Sequence, residues 1–338
     1  ISGLMSPLTA LVSNLAYIAM AGFGIMQVVA GMLTIGNVQA AAQYVWQINQ
    51  PITMITQLAG VIQSAAAATQ RIFGFMAEEE LVETDTQSIP MTIKGDISFE
   101  DISFSYTEKE PLIRNFNVDV KSGETVAIVG PTGAGKTTMI NLLMRFYDVD
   151  SGSIKLDGVD IRSYSRQDYR SQFGMVLQDA WLYQGTIADN IRFGNLEATD
   201  DEVRAAAEAA NVDHFIQTLS EGYDTVINQE ASNISLGQKQ LLTIARTFIA
   251  NPKVLILDEA TSSVDTRLEM LIQKAMSKIM EGRTSFVIAH RLSTIRDADL
   301  ILVMDKGQII EQGSHDQLME KAGFYFELYN SQFQEEAE

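Results

Sequence analysis

Gly130-Pro131-Thr132-Gly133-Ala134-Gly135-Lys136-Thr137 is the stretch of this chain whose residue types and spacing speak most directly of chemistry. Its glycines let a backbone wrap closely around phosphate oxygens, while main-chain N–H groups and the start of a following helix supply positive potential. Lys136 is placed to reach the β- and γ-phosphates of ATP, and the Thr137 hydroxyl to ligate Mg2+. Thr138 is counted with Gly130, Thr132, Gly133, Ala134, Gly135, Lys136 and Thr137 in the expected nucleotide-binding set. Thr125 to Val129 reads as a buried parallel strand running into the loop, and a helix is expected beyond it through Arg145. Strand, glycines, Lys-Thr and helix in this order make a complete P-loop rather than a chance glycine-rich turn.

Val254-Leu255-Ile256-Leu257 is a second buried-strand pattern, and Asp258 and Glu259 follow it. Open α/β sheets bind ligands beyond the carboxyl ends of their strands. Asp258 is therefore expected to hold Mg2+, mostly through water, and Glu259 to polarise the attacking water as general base. Alone, an acidic pair after a strand reads as a helix cap; beside a P-loop it reads as catalytic.

The elements that must carry these residues follow from composition. The chain has 338 residues, more than one ordinary domain needs. No Asp, Glu, Lys or Arg precedes Arg71, whereas the rest is densely charged. So abrupt a change marks a boundary between solvents, with the first part in lipid. Leu4 to Ile35 is longer than the roughly 20 residues a helix needs to cross a bilayer. A second uncharged stretch, 38–76, is expected to span and then continue into the cytosol, with a short turn near Gly36 and Asn37 between the two. Pro51 removes one backbone donor and frees the Gln47 carbonyl, so a kink or a local water is expected there. Gln39, Gln43, Gln47 and Gln50 recur at helical spacing. They read either as interhelical hydrogen-bonding groups or as a polar wall of a translocation cavity.

Two helices cannot enclose a pathway, so the remaining membrane helices must come from residues outside this stretch or from another chain. The start at Ile1, with no charged lead before the apolar run, reads as part of a longer chain rather than a signal peptide. The expected organisation is residues 1–76 as the end of a transmembrane domain, 77–90 as an acidic linker, and 91–338 as an α/β nucleotide-binding domain with a helical subdomain. Net charge is −19. Arg71 against Glu78, Glu79, Glu80, Glu83 and Asp85 leaves about −15 of it beyond Pro90, which excludes the basic face a nucleic acid requires. Cysteine is absent, so no disulfide framework or thiolate metal site can form.

From about Met91 to the C-terminus the residues resemble the ATP-binding-cassette (ABC) family of the exporter type. The resemblance implies that Tyr106 stacks on adenine. It makes Gln178, after Gly174-Met175-Val176-Leu177, the glutamine that senses Mg2+ and faces the membrane domain. Trp181, Leu182 and Tyr183 then read either as an apolar contact for membrane-helix ends or as core. Ser232-Asn233-Ile234-Ser235-Leu236-Gly237-Gln238 matches the family signature, introducing a helix to about Ile249. Ser235, Gly237 and Gln238 would meet the γ-phosphate of ATP held by the opposing cassette. Glu230 resembles the acidic residue before the signature, Ser262-Ser263-Val264-Asp265 the D-loop, and His290 the switch histidine that contacts γ-phosphate. His214 and His315 match nothing and are read as surface residues.

One position departs from the family. Leu236 stands where the first of two signature glycines is usual, adding a branched side chain beside a phosphate. An intact Glu259 with an altered signature resembles one subunit of a heterodimeric bacterial multidrug exporter, paired with a companion half-transporter that differs from it. The expected function is thus ATP hydrolysis coupled to export of hydrophobic or amphipathic compounds across the plasma membrane, with the cassette in the cytoplasm. A lipid or peptide exporter has the same architecture. A soluble ATPase acting on DNA or ribosomes is opposed by the uncharged stretch and the acidic balance, and a non-hydrolysing regulatory cassette by Glu259 and His290.

Overall fold

The computed structural model describes residues 2–78, 80, 88–90, 93–107, 112–177, 180–228, 233–258, 265–289 and 292–333. Gln178, Glu230, Glu259, Ser262, Ser263, Val264 and His290 lie outside them. The chain divides into two compact units, Ile1–Val82 and Glu83–Glu338.

The first unit holds α1 (Ser2–Val29) and α2 (Ile35–Met76). Both are long and apolar enough, by length and composition, to cross a membrane. At 1.5 Å per residue α2 extends about 63 Å, roughly twice the hydrocarbon thickness of a bilayer. The turn between them lies at 30–34 and not at Gly36 and Asn37, which belong to the first turn of α2. Two local signals set this position. Gly31 takes a left-handed φ of 71°; its N–H donates to the Val28 carbonyl, and the Met32 N–H to the Gln27 carbonyl, both at 3.0 Å, which is the paired closure of a glycine-terminated helix. Thr34 then caps α2, its hydroxyl accepting from the Asn37 N–H at 3.3 Å. The helix continues through Pro51.

The second unit begins with β1 (Ile97–Phe104), β2 (Ile113–Val120) and β3 (Thr125–Val129), followed by α3 (Lys136–Leu143). Next come β4 (Ser151–Leu156), β5 (Val159–Asp160), α4 (Arg166–Arg170) and β6 (Phe173–Val176). A helical region follows: β7 (Gly185–Thr186), α5 (Ile187–Arg192), α6 (Asp200–Ala209), α7 (Asp213–Thr218), β8 (Val226–Ile227) and α8 (Leu236–Ala250). The chain then returns through β9 (Val254–Asp258), α9 (Thr266–Met280), β10 (Thr284–Ile288), α10 (Leu292–Arg296) and β11 (Leu300–Asp305). It closes with β12 (Gln308–Gly313), α11 (His315–Lys321) and α12 (Phe324–Phe333).

The central sheet has the order β12-β11-β3-β10-β9-β6, parallel from β11 to β6 with β12 antiparallel at one edge. Its parallel strands are buried on both faces, which is why they read as continuous apolar runs, whereas β12 is half-exposed. Side chains alternate across β3. Val126 and Ile128 join a core shared with α3 and the antiparallel sheet β2-β1-β4-β5, whereas Ala127 and Val129 join one shared with α5–α9. Phe99 seals the first core, edge-on to Phe116 at 5.2 Å and to Phe286 at 6.4 Å. Helices α5, α6 and α7 start on capped or acidic first turns, with reciprocal capping boxes at Thr186–Asp189 and Thr199–Glu202.

Candidate nucleotide-binding site

The site sits at the carboxyl edge of the parallel sheet. In register, Ile128 of β3 lies beside Ile288 of β10, and Ile288 beside Asp258 of β9. Three strands thus end at one level. From that level the chain enters the P-loop after β3, reaches Glu259 one residue past Asp258, and His290 two residues past Ile288.

Glycine is required in the loop for two different reasons. Gly130 has a φ of 149°, and a Cβ there would run into the Met304 carbonyl oxygen of β11. Gly135, with φ 103°, is packed against Ile113, Gly307 and Met304 and forms the N-cap of α3. As a glycine it offers no side chain to satisfy that helix start. The main-chain N–H groups of Thr132, Gly133, Gly135, Lys136, Thr137 and Thr138 accordingly donate to no protein acceptor among the described residues. Unpaired N–H groups converging on a helix N-terminus form a ready anion site. Ala134 anchors the loop from below: its N–H donates to the Pro131 carbonyl at 3.1 Å, and its carbonyl accepts from Gly307 N–H at 2.9 Å.

The Lys136 ammonium is half-buried and donates to the carbonyls of Gly130 at 2.6 Å and Pro131 at 3.1 Å. Burial pulls its pKa below the usual lysine value, and the nearby Asp258 carboxylate pulls the other way. The ammonium is thus folded onto its own loop, beside the open N–H groups, where phosphate oxygens can replace the carbonyls as its partners. Thr137 is exposed at this mouth and Asp258 partly buried beside it. A hydroxyl and a single carboxylate are oxygen donors suited to Mg2+, which usually keeps waters and phosphate oxygens as its other ligands. No group of three or more His, Asp or Glu side chains able to hold a metal occurs among the described residues. The Thr137 hydroxyl and the Asp258 carboxylate fit a metal that arrives with phosphate.

Tyr106 stands against α3. Its ring is 48 % exposed and is held edge-on by Phe104 at 4.9 Å and Tyr147 at 5.0 Å. Its hydroxyl donates to the buried Thr138 hydroxyl at 3.3 Å and accepts from the Asn141 amide at 3.3 Å. Two residues of the P-loop helix therefore fix a partly exposed aromatic face near the phosphate site. The link to Thr138 and Asn141 was not foreseen from sequence; the hydroxyl of a tyrosine at this position is the one signal that could have suggested it.

The signature segment is built differently. Ser235 caps α8, its hydroxyl accepting from the Gln238 N–H at 3.4 Å, while the Gln238 side-chain oxygen accepts from the Ser235 N–H at 3.0 Å. Gly237 points inward and is buried, and Leu236 is 41 % exposed. Among the described residues no hydrogen bond or ring contact joins Ser235–Gln238 to the P-loop. The chain thus brings together the P-loop, Asp258 and Tyr106, and leaves the signature apart from them.

Two further expectations change. Leu182 is buried at 4 % exposure in the helical core, whereas Trp181 is 62 % exposed, so the pair divides between core and surface. Sequence reasoning missed what fixes this segment. Asn190 is fully buried, and its amide accepts from Tyr183 N–H and donates to the Tyr183 and Thr186 carbonyls. Arg246 of α8 donates to the carbonyls of Asn190 and Trp181, and its guanidinium carbon lies 5.2 Å from the Phe193 ring centroid. An arginine inside the apolar run of α8 was the available clue. His315 is not a plain surface residue: its Nδ1 is 2.8 Å from the buried Tyr325 hydroxyl, joining α11 to α12.

Residues 113–262 match the ABC transporter family. The chain is 52 % identical over 328 residues to a fatty acid ABC transporter ATP-binding/permease protein of Mycobacterium bovis, covering 97 % of this chain and 52 % of the relative. It is 40 % identical over 337 residues to an ATP-dependent lipid A-core flippase of Syntrophus aciditrophicus, covering 99 % of this chain and 56 % of that protein. Its fold superposes on a bacterial Atm1-family ABC exporter solved with ATP bound, with a TM-score of 0.70 at 35 % identity, covering 99 % of this chain and 59 % of that one. The chain spans about half the length of the curated relatives it matches. A P-loop with an uncapped helix start, read together with these matches, marks residues 113–262 as an ABC transporter domain.

Proposed function

We propose that this chain is the ATP-hydrolysing subunit of a membrane exporter for hydrophobic or amphipathic compounds. The observation that carries the reading is the uncapped N-terminus of α3, with its free N–H groups and half-buried Lys136, beside Asp258 at the sheet edge. Adenine stacks on Tyr106. The β- and γ-phosphates lie on the N–H groups of Gly133 and of Gly135 to Thr138 and on Lys136. Thr137, Asp258 and Gln178 hold Mg2+, which when bound neutralises charge on the phosphates. Glu259 takes the proton of the attacking water, and His290 supports the γ-phosphate.

On this reading α1 and α2 are membrane-spanning helices of a larger multi-pass domain in the plasma membrane, and the second unit lies in the cytoplasm. The second nucleotide-binding partner is another half-transporter chain. Its signature completes this chain's P-loop, while the Leu236 signature serves the partner's nucleotide. Because Leu236 departs from glycine beside the phosphate that Ser235, Gly237 and Gln238 would meet, the partner is a non-identical chain and the two sites are unequal.

A fatty acid cargo is favoured by the name of the relative at 52 % identity, while the names of a lipid A-core flippase at 40 % and a putative multidrug export protein at 42 % divide between lipid and multidrug cargo. Both cargo classes are tested by uptake into inverted vesicles containing the full-length complex, with labelled fatty acids, labelled phospholipids and cationic dyes offered in parallel. ATP-dependent accumulation of fatty acid or lipid is expected. Accumulation of dyes alone would return the reading to the multidrug type, and ATP-independent accumulation of all three would overturn it.

A further inference from the structure

The helix that presents the phosphate site is held from its far end. α3 stops at Leu143, two residues short of the Arg145 expected from sequence, because Arg145 takes a left-handed φ of 52°. The Arg145 N–H donates to the Leu142 carbonyl and the Phe146 N–H to the Asn141 carbonyl, both at 2.9 Å. This is the closure usually made with glycine, here carried by an arginine against the backbone preference of a residue with a side chain. The Arg145 side chain is buried and compensates by donating to the carbonyls of Ile161 at 3.1 Å and Tyr164 at 2.7 Å, and to Asp148.

The carbonyl of Leu143, the last residue of α3, and those of Met144 and Arg145 just beyond it are taken by one neighbouring element. Tyr169 of α4, fully buried, donates its hydroxyl to the Leu143 carbonyl at 2.6 Å. Arg170 donates to the carbonyls of Met144 at 3.0 Å and Arg145 at 2.7 Å, and its guanidinium lies over the Phe146 ring at 4.9 Å. A cation bonded to the carbonyl end of a helix also complements its dipole. The two ends of α3 are thus treated oppositely: at one, N–H groups are left open; at the other, α4 supplies a donor to each of Leu143, Met144 and Arg145. A helix of 8 residues is only about 12 Å long, so its C-terminal clamp fixes where its N-terminal N–H groups point.

We infer that Arg170 and Tyr169 are positioning residues for nucleotide phosphate: they set the aim of α3, and so the affinity of the site for the β- and γ-phosphates, without touching the nucleotide. The inference rests on the phosphate assignment made above. Misplacement of a preorganised binding element by a fraction of an ångström weakens the contacts it makes, and the loss grows with the number of contacts. Adenosine, which meets Tyr106 but not the loop, should be indifferent to the clamp.

The test is a ladder of dissociation constants for adenosine, AMP, ADP and ATP on the full-length protein in nanodiscs, with thermal unfolding measured on the same samples. Arg170→Gln, which keeps one donor but no charge, is expected to weaken ATP roughly tenfold, ADP less, and AMP and adenosine within about twofold, the scale of a lost hydrogen bond from a charged group. Arg170→Lys should restore most of the ATP loss, and Tyr169→Phe should reproduce a smaller version of the same gradient. A uniform loss across the ladder that tracks the fall in unfolding temperature would reduce the clamp to a structural role and overturn the inference, as would unchanged ATP affinity in both Arg170→Gln and Tyr169→Phe. Lys136→Ala separates the two levels of the argument. If it too leaves ATP affinity intact, the phosphate assignment itself fails; if it alone lowers ATP affinity, only the clamp does.

Discussion

Two helices of the cassette start on loops that the family resemblance assigns to phosphate, and their starts are opposite in construction. α3 begins on Gly135, which has no side chain to offer, so its first N–H groups await an external acceptor. α8 begins on Ser235, whose hydroxyl and whose partner Gln238 already satisfy each other in a capping box. The first is open to an anion as it stands. The second is a stable helix start whose hydroxyl accepts from its own helix and keeps its O–H to donate to a phosphate, and whose neighbour Leu236 is exposed where close approach would be needed. One chain therefore carries a complete phosphate cradle and an incomplete contact for someone else's phosphate, and this is the physical content of the proposal that the working unit is a pair.

The comparison can be broken at either helix. Lys136→Ala removes the ammonium at the open start, and loss of charge-assisted hydrogen bonds to phosphate predicts about 10- to 100-fold weaker ATP binding. Titration with a fluorescent ATP analogue measures it, and unchanged affinity would mean that α3 does not receive phosphate. Ser235→Ala acts at the closed start. Loss of the cap should lower unfolding stability by about 1 kcal/mol, read by denaturant melts, while this chain's own ATP affinity stays within a few-fold. A loss of ATP affinity as large as that of Lys136→Ala would mean that the two starts serve one site within the chain.

Leu236→Gly is the smallest change. At an exposed first-turn position its propensity cost is below about 1 kcal/mol, and in the assembled pair it should shift total ATP turnover by less than a few-fold, since it alters only the site the partner's nucleotide occupies. Damage equal to that of Lys136→Ala would contradict the inequality of sites. Expression of the full-length chain with and without candidate companion half-transporters sharpens the same point: full ATPase activity from a homodimer would remove the non-identical partner.

Sequence made the P-loop legible because every group in it is local: strand, glycines, lysine and helix lie within 20 residues and need no knowledge of distant neighbours. The continuous apolar runs of β3, β9 and β10 likewise announced strands buried on both faces. What escaped depends on residues far apart in the chain. Leu182 and Trp181 are adjacent and both apolar, yet the core formed by α5 and α8 takes only the first. His315 looked solitary until α12 carried Tyr325 to within 2.8 Å of its ring. The turn between α1 and α2 was placed five residues late because Gly31 and Gly36 are equally good helix stops in isolation. The Thr34 cap, which depends on the Asn37 N–H, decides between them. Arg145, an ordinary helix residue by propensity, ends α3 because its side chain is claimed by carbonyls 16 and 19 residues away.

The most direct test of the central claim, that this P-loop holds ATP for hydrolysis with Glu259 as base, is to measure bound nucleotide and turnover on the same full-length sample of Glu259→Gln. The account predicts that ATP remains bound at the parent affinity while hydrolysis falls by about two orders of magnitude or more. Turnover within a few-fold of the parent protein would contradict it.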